Sequence, residues 1–555
     1  MTAETAFSAR HEYGVHVSHA ELGDIGRGTL FFGEKGLTYL SFGMLSFSGK
    51  LEDGIRYPRL IARTESGEAF TLFGCEANGL RVHIDYVVDG VVEDAFQAIR
   101  IRFTEVSDWF FVGQYLSGEV GASLTWERRP QPIEVKVQAD GSALSITTAI
   151  VSSRERSGED LVINEHVCFV VEKDGGFFDV QESRERCREL SILMTLLIAQ
   201  PVDINSVGLV GDNGGLHHVY FPYYEKRVET NSRSWPRFLI QKASIQGRWQ
   251  TIFENFYRSD FRSVAWARMA GMLRYDSFWE YKVLGYVSLL DGVVKKKAES
   301  QKKEMVAPAE RHLVMLEEKM RKMSAPLSGE QRDQVVGMVR DVFTRAKKSF
   351  AECFNYAIST SDNNVMSVIN LSSEDLTLIK DFRNDIAHGD EMHTPPTRHG
   401  RVSRVENKVV LLLTYWALTE LGLTAGDFLW ALARSHNPAV LGADIDEVRM
   451  ERVLGTAAFY KVPKQRFDEI SAMSSKSQLC FARDGLGEIS YSQVYTLMFD
   501  EWVKKSGGGI IDPKEVFGIE PTRVKCFSKA YMECGDERLA LFHVYVLEDA
   551  LLGVV

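Results

Sequence analysis

The chain contains no CxxC pair. Its seven cysteines, Cys75, Cys168, Cys187, Cys353, Cys480, Cys526 and Cys534, are scattered over 555 residues. An odd, dispersed set in a large chain is the pattern of reduced thiols, which excludes a disulfide scaffold and predicts a cytoplasmic protein. Cys526, Cys534 and His543 fit no standard zinc spacing and lack a fourth ligand, so no metal is expected. Long apolar runs are missing too. The longest, at 190–199 and 409–413, fall well short of the roughly 18 residues that cross a bilayer, so no membrane association is expected. The opening MTAETAFSARHEYG lacks the apolar centre of a signal peptide. Phosphate-binding GxxxxGK[ST] and GxGxxG loops, the GxSxG elbow and the HExxH helix are all absent. Their absence removes the common nucleotide-binding, serine-hydrolase and zinc-protease readings, and no cofactor is expected. Positive charge is in short supply. There are 65 basic and 76 acidic residues, for a net charge of −11, which argues against broad coating of nucleic acid.

What remains is an ordinary globular composition, 45% hydrophobic and 11% aromatic, in a chain too long for one core. The fold class expected is α+β multidomain, in three blocks. Residues 1–250 read as a β-rich domain. Runs at 36–42, 68–75, 81–88 and 98–106 mass β-branched and aromatic residues between Gly, Asn and Asp. Segment 133–151 reads as a hairpin turning at Asp140-Gly141. Helical character is expected there at 181–199, with strands returning at 206–210 and 218–224. Residues 251–428 read as an all-α bundle, with apolar residues at three- and four-residue spacing. Helices are expected through 308–323, 328–360 and 372–388, with another at 405–423 after a loop holding Pro395-Pro396. Residues 429–555 read as a mixed, mostly helical C-terminal extension of unknown role.

Charge is uneven across these blocks. Residues 1–294 carry 39 acidic against 30 basic groups, whereas residues 295–350 carry 14 basic against 8 acidic groups. This belt includes Lys295-Lys296-Lys297, Lys302-Lys303, Arg321-Lys322 and Lys347-Lys348. It is suited either to a phosphate backbone or to a solvated helix face with Glu partners.

The segment LSSEDLTLIKDFRNDIAHG at 371–389 carries the chemistry. Ser372 and Asp375 approximate a capping box, and Glu374 and Asp375 suit the positive end of a helix dipole. Leu376, Ile379, Phe382 and Ile386 form an apolar stripe, and Gly389 can stop the helix. Arg383, Asn384, Asp385 and His388 are thereby left at the C-terminal end. An imidazole moves protons near neutral pH, and a guanidinium holds phosphate through paired hydrogen bonds. Asn384, one turn before His388, can orient the ring or the phosphate. These are the parts of metal-independent RNA cleavage by 2′-OH attack. Arg383 and His388 stand about 140° apart on an ideal helix, so one regular helix aims them poorly at a single phosphate; a fraying last turn would bring them closer, as would a second copy across a two-fold axis.

The RNDIAH stretch, 383–388, resembles the Arg–polar–x3–His motif of HEPN domains, helical bundles that often act as ribonucleases. The wider layout resembles ApeA-like HEPN proteins of bacterial anti-phage defence, which place a β-rich domain before such a bundle. TLFGC (71–75), the stretch 103–110 and FWEYKVLGYVSLLDG (278–292) share that layout. The resemblance covers about residues 20–425 and leaves the tail unassigned. It implies an endoribonuclease of abortive infection, with Arg383 and His388 catalytic and Asn384 and Asp385 in support. It also implies an RNA substrate such as tRNA, a phage-derived trigger, and a homodimer or higher homo-oligomer formed through the bundle. Arg398, Arg401 and Arg404, in the loop expected after the motif, are candidates for holding substrate. The alternative is a non-catalytic dimerisation or binding scaffold, in which the β domain recognises a ligand or phage protein.

Overall fold

A computed structural model describes residues 7–33, 38–119, 123–222, 237–275, 278–300, 349–388, 399–483, 488–506 and 511–548, with scattered positions between 315 and 338. For 157, 300 and 385–388 it describes the backbone only. The chain divides into two compact units, Met1–Ile445 and Asp446–Val555.

The first unit is built on a 13-stranded sheet. Strands β1 (Arg10–His19), β2 (Gly23–Gly33), β3 (Tyr39–Phe47), β4 (Arg56–Thr64), β5 (Ala69–Asn78) and β6 (Arg81–His83) pair antiparallel in the order β5-β4-β1-β2-β3-β6. The three-residue β6 then returns to β5 through Glu76↔His83 and Asn78↔Arg81, closing a six-stranded barrel. Alternate residues fill its interior, among them Val15, Val17, Leu30, Leu40, Leu60, Leu72 and Val82, each nearly inaccessible. At Gly26 the β2–β3 register shifts, φ is +129°, and a Cβ would run into the Ser46 carbonyl, so the bulge that bends β2 requires glycine.

β5 divides its pairing. Glu76–Asn78 serve the barrel, while Phe70–Phe73 pair with β7 (Tyr86–Asp89). The sheet continues from β7 through β15 (Leu216–Tyr220), β14 (Ile204–Val210), β8 (Ala98–Phe103), β13 (Asp160–Lys173) and β12 (Ser142–Ser157) to β11 (Glu134–Ala139). Asp140 (φ +50°) and Gly141 (φ +85°) make the two-residue turn between β11 and β12. The segment expected as one strand over 81–88 is two strands, broken at Ile84-Asp85, because its halves serve different neighbours. The run expected as strand over 98–106 ends at Phe103 and enters a short helix, α1 (Val106–Phe110), after which β9 (Tyr115–Gly118) and β10 (Leu124–Glu127) pair as a separate two-stranded sheet. The outer edge of β11 is not bare: Gln250 accepts from the Lys136 N–H at 3.1 Å and donates to its carbonyl at 2.6 Å.

Helix α2 (Val180–Ile198) starts on the N-cap Asp179, which accepts from the Glu182 N–H at 2.7 Å. From Leu190 to Ile198 it is buried on every side, so this apolar run is a core helix. Helices α3 (Trp249–Arg258), α4 (Ala267–Arg274), α5 (Trp279–Ser300), α6 (Phe350–Ser359), α7 (Asn363–Ile369), α8 (Ser373–His388), α9 (His399–Glu420) and α10 (Ala425–Arg434) follow. α9 is sheathed by its neighbours, with 408–418 buried throughout. It begins at His399, six residues earlier than the sequence pattern suggests, because its first turn is polar. Arg274 of α4 joins this block to α2. Buried itself, it donates to Ser191 Oγ at 2.6 Å and to the Val202 carbonyl at 2.7 Å, and its Nε lies 3.3 Å from the Asp203 carboxylate.

The second unit is mixed, as expected of the tail, with its helices set against a sheet. Its centre is a five-stranded mixed sheet, ordered β16 (Ala458–Lys461), β19 (Val524–Cys534), β20 (Glu537–Glu548), β17 (Cys480–Arg483), β18 (Ile489–Tyr491). Phe467 and Ile470 of a helix at Lys464–Ala472 cover one face, with Phe481 and Val546. Phe499 and Phe517, from helices Gln493–Ser506 and Pro513–Phe517, cover the other with Cys480 and Tyr545. Consecutive residues Cys480 and Phe481 serve opposite faces, as strand alternation requires.

Candidate functional site

α8 carries the motif, and its beginning is firmly fixed. The Ser372 Oγ accepts from the Asp375 N–H at 3.1 Å, and the Asp375 carboxylate accepts from the Ser372 N–H at 3.1 Å, completing the expected capping box. Asp375 also accepts from the buried Lys408 ammonium of α9 at 3.1 Å, and Lys408 donates to the Asn370 carbonyl at 2.6 Å. Burial pushes the Asp375 carboxyl up, but hydrogen bonds from Lys408 and Ser372 outweigh it and hold it below the ordinary carboxylate value. Ile379 and Phe382 turn into the core; Leu376 is half-buried.

Eleven residues after the cap, Arg383 is half-buried with 37% of its side chain exposed. Its Nε lies 3.6 Å from the Asp291 carboxylate of α5, and its guanidinium lies 5.8 Å from the centre of the Phe350 ring. Asp291 also accepts from Lys295 at 2.6 Å. Phe350 is the first residue of α6, whose start is fixed by a Ser349–Glu352 capping box. The motif arginine is thus aimed by a carboxylate on one helix and a ring on another. Asn384, the next residue, is exposed. His388 closes the helix by its backbone; the side chains of Asp385 and His388 lie outside the described residues.

Of the three candidate substrate arginines, the structure places Arg401 and Arg404 away from this end of α8. Arg401 donates to Glu374 at 2.8 Å, at the opposite end of the helix from Arg383. Nine residues of helix separate Glu374 from Arg383, about 13.5 Å at 1.5 Å per residue. Arg404 pairs with Asp444 at 3.1 Å. Both lie in α9, not in a loop, and Arg398 lies outside the described residues. In the basic belt, Lys295 pairs with Asp291, Lys296 lies 4.8 Å from the Phe261 ring centre and Lys297 5.5 Å from that of Trp416. Lys302, Lys303, Arg321, Lys347 and Lys348 lie outside the described residues.

Asp291 and Phe350 were not singled out by the sequence. Asp291 left one signal: it is a lone carboxylate inside the apolar run Leu289-Leu290-Asp291-Gly292-Val293-Val294, and a charge there needs a partner.

Among the described residues no group of three His, Cys, Asp or Glu side chains is arranged to hold a metal. Cys526 and Cys534 stand eight residues apart on β19, about 26 Å at 3.3 Å per residue, too far to share an ion. Burial pushes the Cys75 and Cys187 thiols well up and Cys480 up to about 12, so these thiols stay protonated. No helix among the described residues is long and apolar enough to cross a membrane.

Barrel, open sheet and core helix form a domain with a recognised counterpart. Residues 23–256 match the family model described as ApeA N-terminal domain 1. This part of the chain is similar to an ApeA N-terminal domain, and the likeness supports reading the protein as ApeA-like and of anti-phage defence. The match ends inside α3 and leaves α4 to α10 and the motif outside it. No curated protein and no solved structure matches the chain.

Proposed function

We propose that the protein is a HEPN-type endoribonuclease of abortive anti-phage defence. The observation that carries this reading is Arg383, aimed by Asp291 and Phe350 and half open to solvent near the end of α8, in a chain whose residues 23–256 match an ApeA N-terminal domain. Arg383 would grip a phosphodiester and stabilise the charge that builds on it. His388, with Asn384 and Asp385 in support, would move the protons. The ribose 2′-oxygen loses its proton and bonds to phosphorus. The bond to the 5′-oxygen breaks, and that oxygen takes a proton as it leaves. A 2′,3′-cyclic phosphate and a 5′-hydroxyl remain. The β-rich domain would respond to a phage-derived trigger, and a second copy of the bundle would complete each site.

Purified protein incubated with total RNA in chelator tests this. Cleavage with 2′,3′-cyclic phosphate ends is expected, lost in Arg383→Ala and in His388→Ala while both variants keep the wild-type circular dichroism spectrum. Undiminished cleavage by the double variant would refute the site.

The ion pair with Asp291 gives a second reading some weight. An arginine already held by a carboxylate and a ring can serve packing alone, and the helical block would then act as a dimerisation scaffold. In that case neither protein cleaves RNA, and Arg383→Ala lowers stability.

A further inference from the structure

A cleft of about 380 Å³ opens where α1, the 128–131 segment and the 3₁₀ turn Lys242–Ile245 meet, just ahead of α3. Arg128, Arg129 and Lys242 contribute to its wall, and none of its wall residues is acidic. Lys242 is the telling residue. It is only 6% exposed, yet its ammonium meets no carboxylate among the described residues. It donates to the Gln131 carbonyl at 2.8 Å and sits 4.6 Å from the Phe110 ring centre. A buried cation without an anion is costly, and its desolvation pulls the lysine pKa down. Arg128 holds φ +54°, a conformation that side-chain-bearing residues seldom adopt. Arg129 is exposed and has no acidic partner among the described residues.

The contrast with the larger cavity, about 530 Å³ in the second unit, is instructive. Arg452 and Arg538 line that cavity, but Glu533 in its wall already accepts from Arg538 at 2.9 Å and from Arg452. Its charge is partly answered from within.

We propose that the cleft bounded by Arg128, Arg129 and Lys242 binds a phosphorylated small molecule of about nucleotide size. Two guanidinium forks and an ammonium suit phosphate oxygens. The volume exceeds what a lone phosphate needs and lies in the range of small-ligand sites, about 300–1,000 Å³. The amides of Gln131, Gln241 and Gln246 line the same space and offer donors and acceptors to a base or sugar. The site lies within the residues that match the ApeA N-terminal domain, and binding there does not depend on the nuclease reading.

Titration calorimetry on the full chain, with ATP, inorganic pyrophosphate, adenosine and a short single-stranded oligoribonucleotide, tests the proposal. ATP, with or without pyrophosphate, is expected to bind one per chain, and adenosine not at all. Pyrophosphate binding as tightly as ATP assigns recognition to the phosphates; ATP binding alone adds the base or sugar. Arg129→Glu, at an exposed position, is expected to weaken binding by about tenfold or more. Lys242→Met is expected to melt at or above the wild-type temperature and to gain nothing from added ATP, because it removes both an uncompensated charge and an anion ligand. The proposal is overturned if none of the small ligands binds, if adenosine matches ATP, if Arg129→Glu binds as wild type does, or if only the oligonucleotide binds.

Discussion

Asp375 has two tasks at the start of α8. It caps the helix, and it neutralises Lys408, which is buried beside it. Asparagine can still cap but carries no charge, so Asp375→Asn isolates the ion pair. Leaving Lys408 buried without its anion is expected to cost about 3–5 kcal/mol in urea unfolding. The pH dependence follows from the lowered carboxyl. Its contribution is complete above the ordinary carboxylate value of about 4 and is lost as pH falls through the lower folded value. Unfolding measured between neutral and acid pH should show wild type and variant converging at the acid end. Arg383 stands at the other end of the same helix, so a secure cap at one end keeps the motif in register at the other.

At the scale of elements, local chemistry was legible and long-range closure was not. The turn at Asp140-Gly141 and helix α2 follow from adjacent residues: two positive φ values and an aspartate cap. The capping box before α8 was equally plain. The barrel was not, because it depends on a three-residue strand that reaches beyond its sequence neighbour β5 to pair with the distant β3, through Tyr39↔His83 and Ser41↔Arg81. The tail hairpin of β19 and β20 alternates and turns at Gly535-Asp536, yet its charged outward residues kept it from reading as sheet. Arg401 and Arg404 were placed in a loop because the polar first turn of α9 masks its helical period. The Arg383–Asp291 pair joins residues 92 positions apart, beyond any spacing rule. The joint between α2 and α4 is likewise long-range, and it yields a direct expectation. Arg274→Met removes the guanidinium from the Ser191 hydroxyl, the Val202 carbonyl and the Asp203 carboxylate together, and should cost about 3 kcal/mol or more in denaturant unfolding.

At the scale of the whole molecule, the 13-stranded sheet ends differently at its two sides. On one side it curls round and binds itself. On the other, one glutamine of α3 fills the hydrogen-bonding positions of Lys136. The long hairpin beyond carries Arg154, Glu155, Arg156, Glu159 and Asp160 around its tip, charges that repel an incoming strand. The consequence is colloidal. A chain this size would otherwise present a backbone template on which further copies stack as they accumulate. Gln250→Ala leaves the fold's interior untouched and uncovers that template, so light scattering of concentrated protein should rise well before melting begins. For the defence role proposed above, a protein held in reserve has to stay dispersed, and the Gln250 amide closes one place where a second copy would join the sheet.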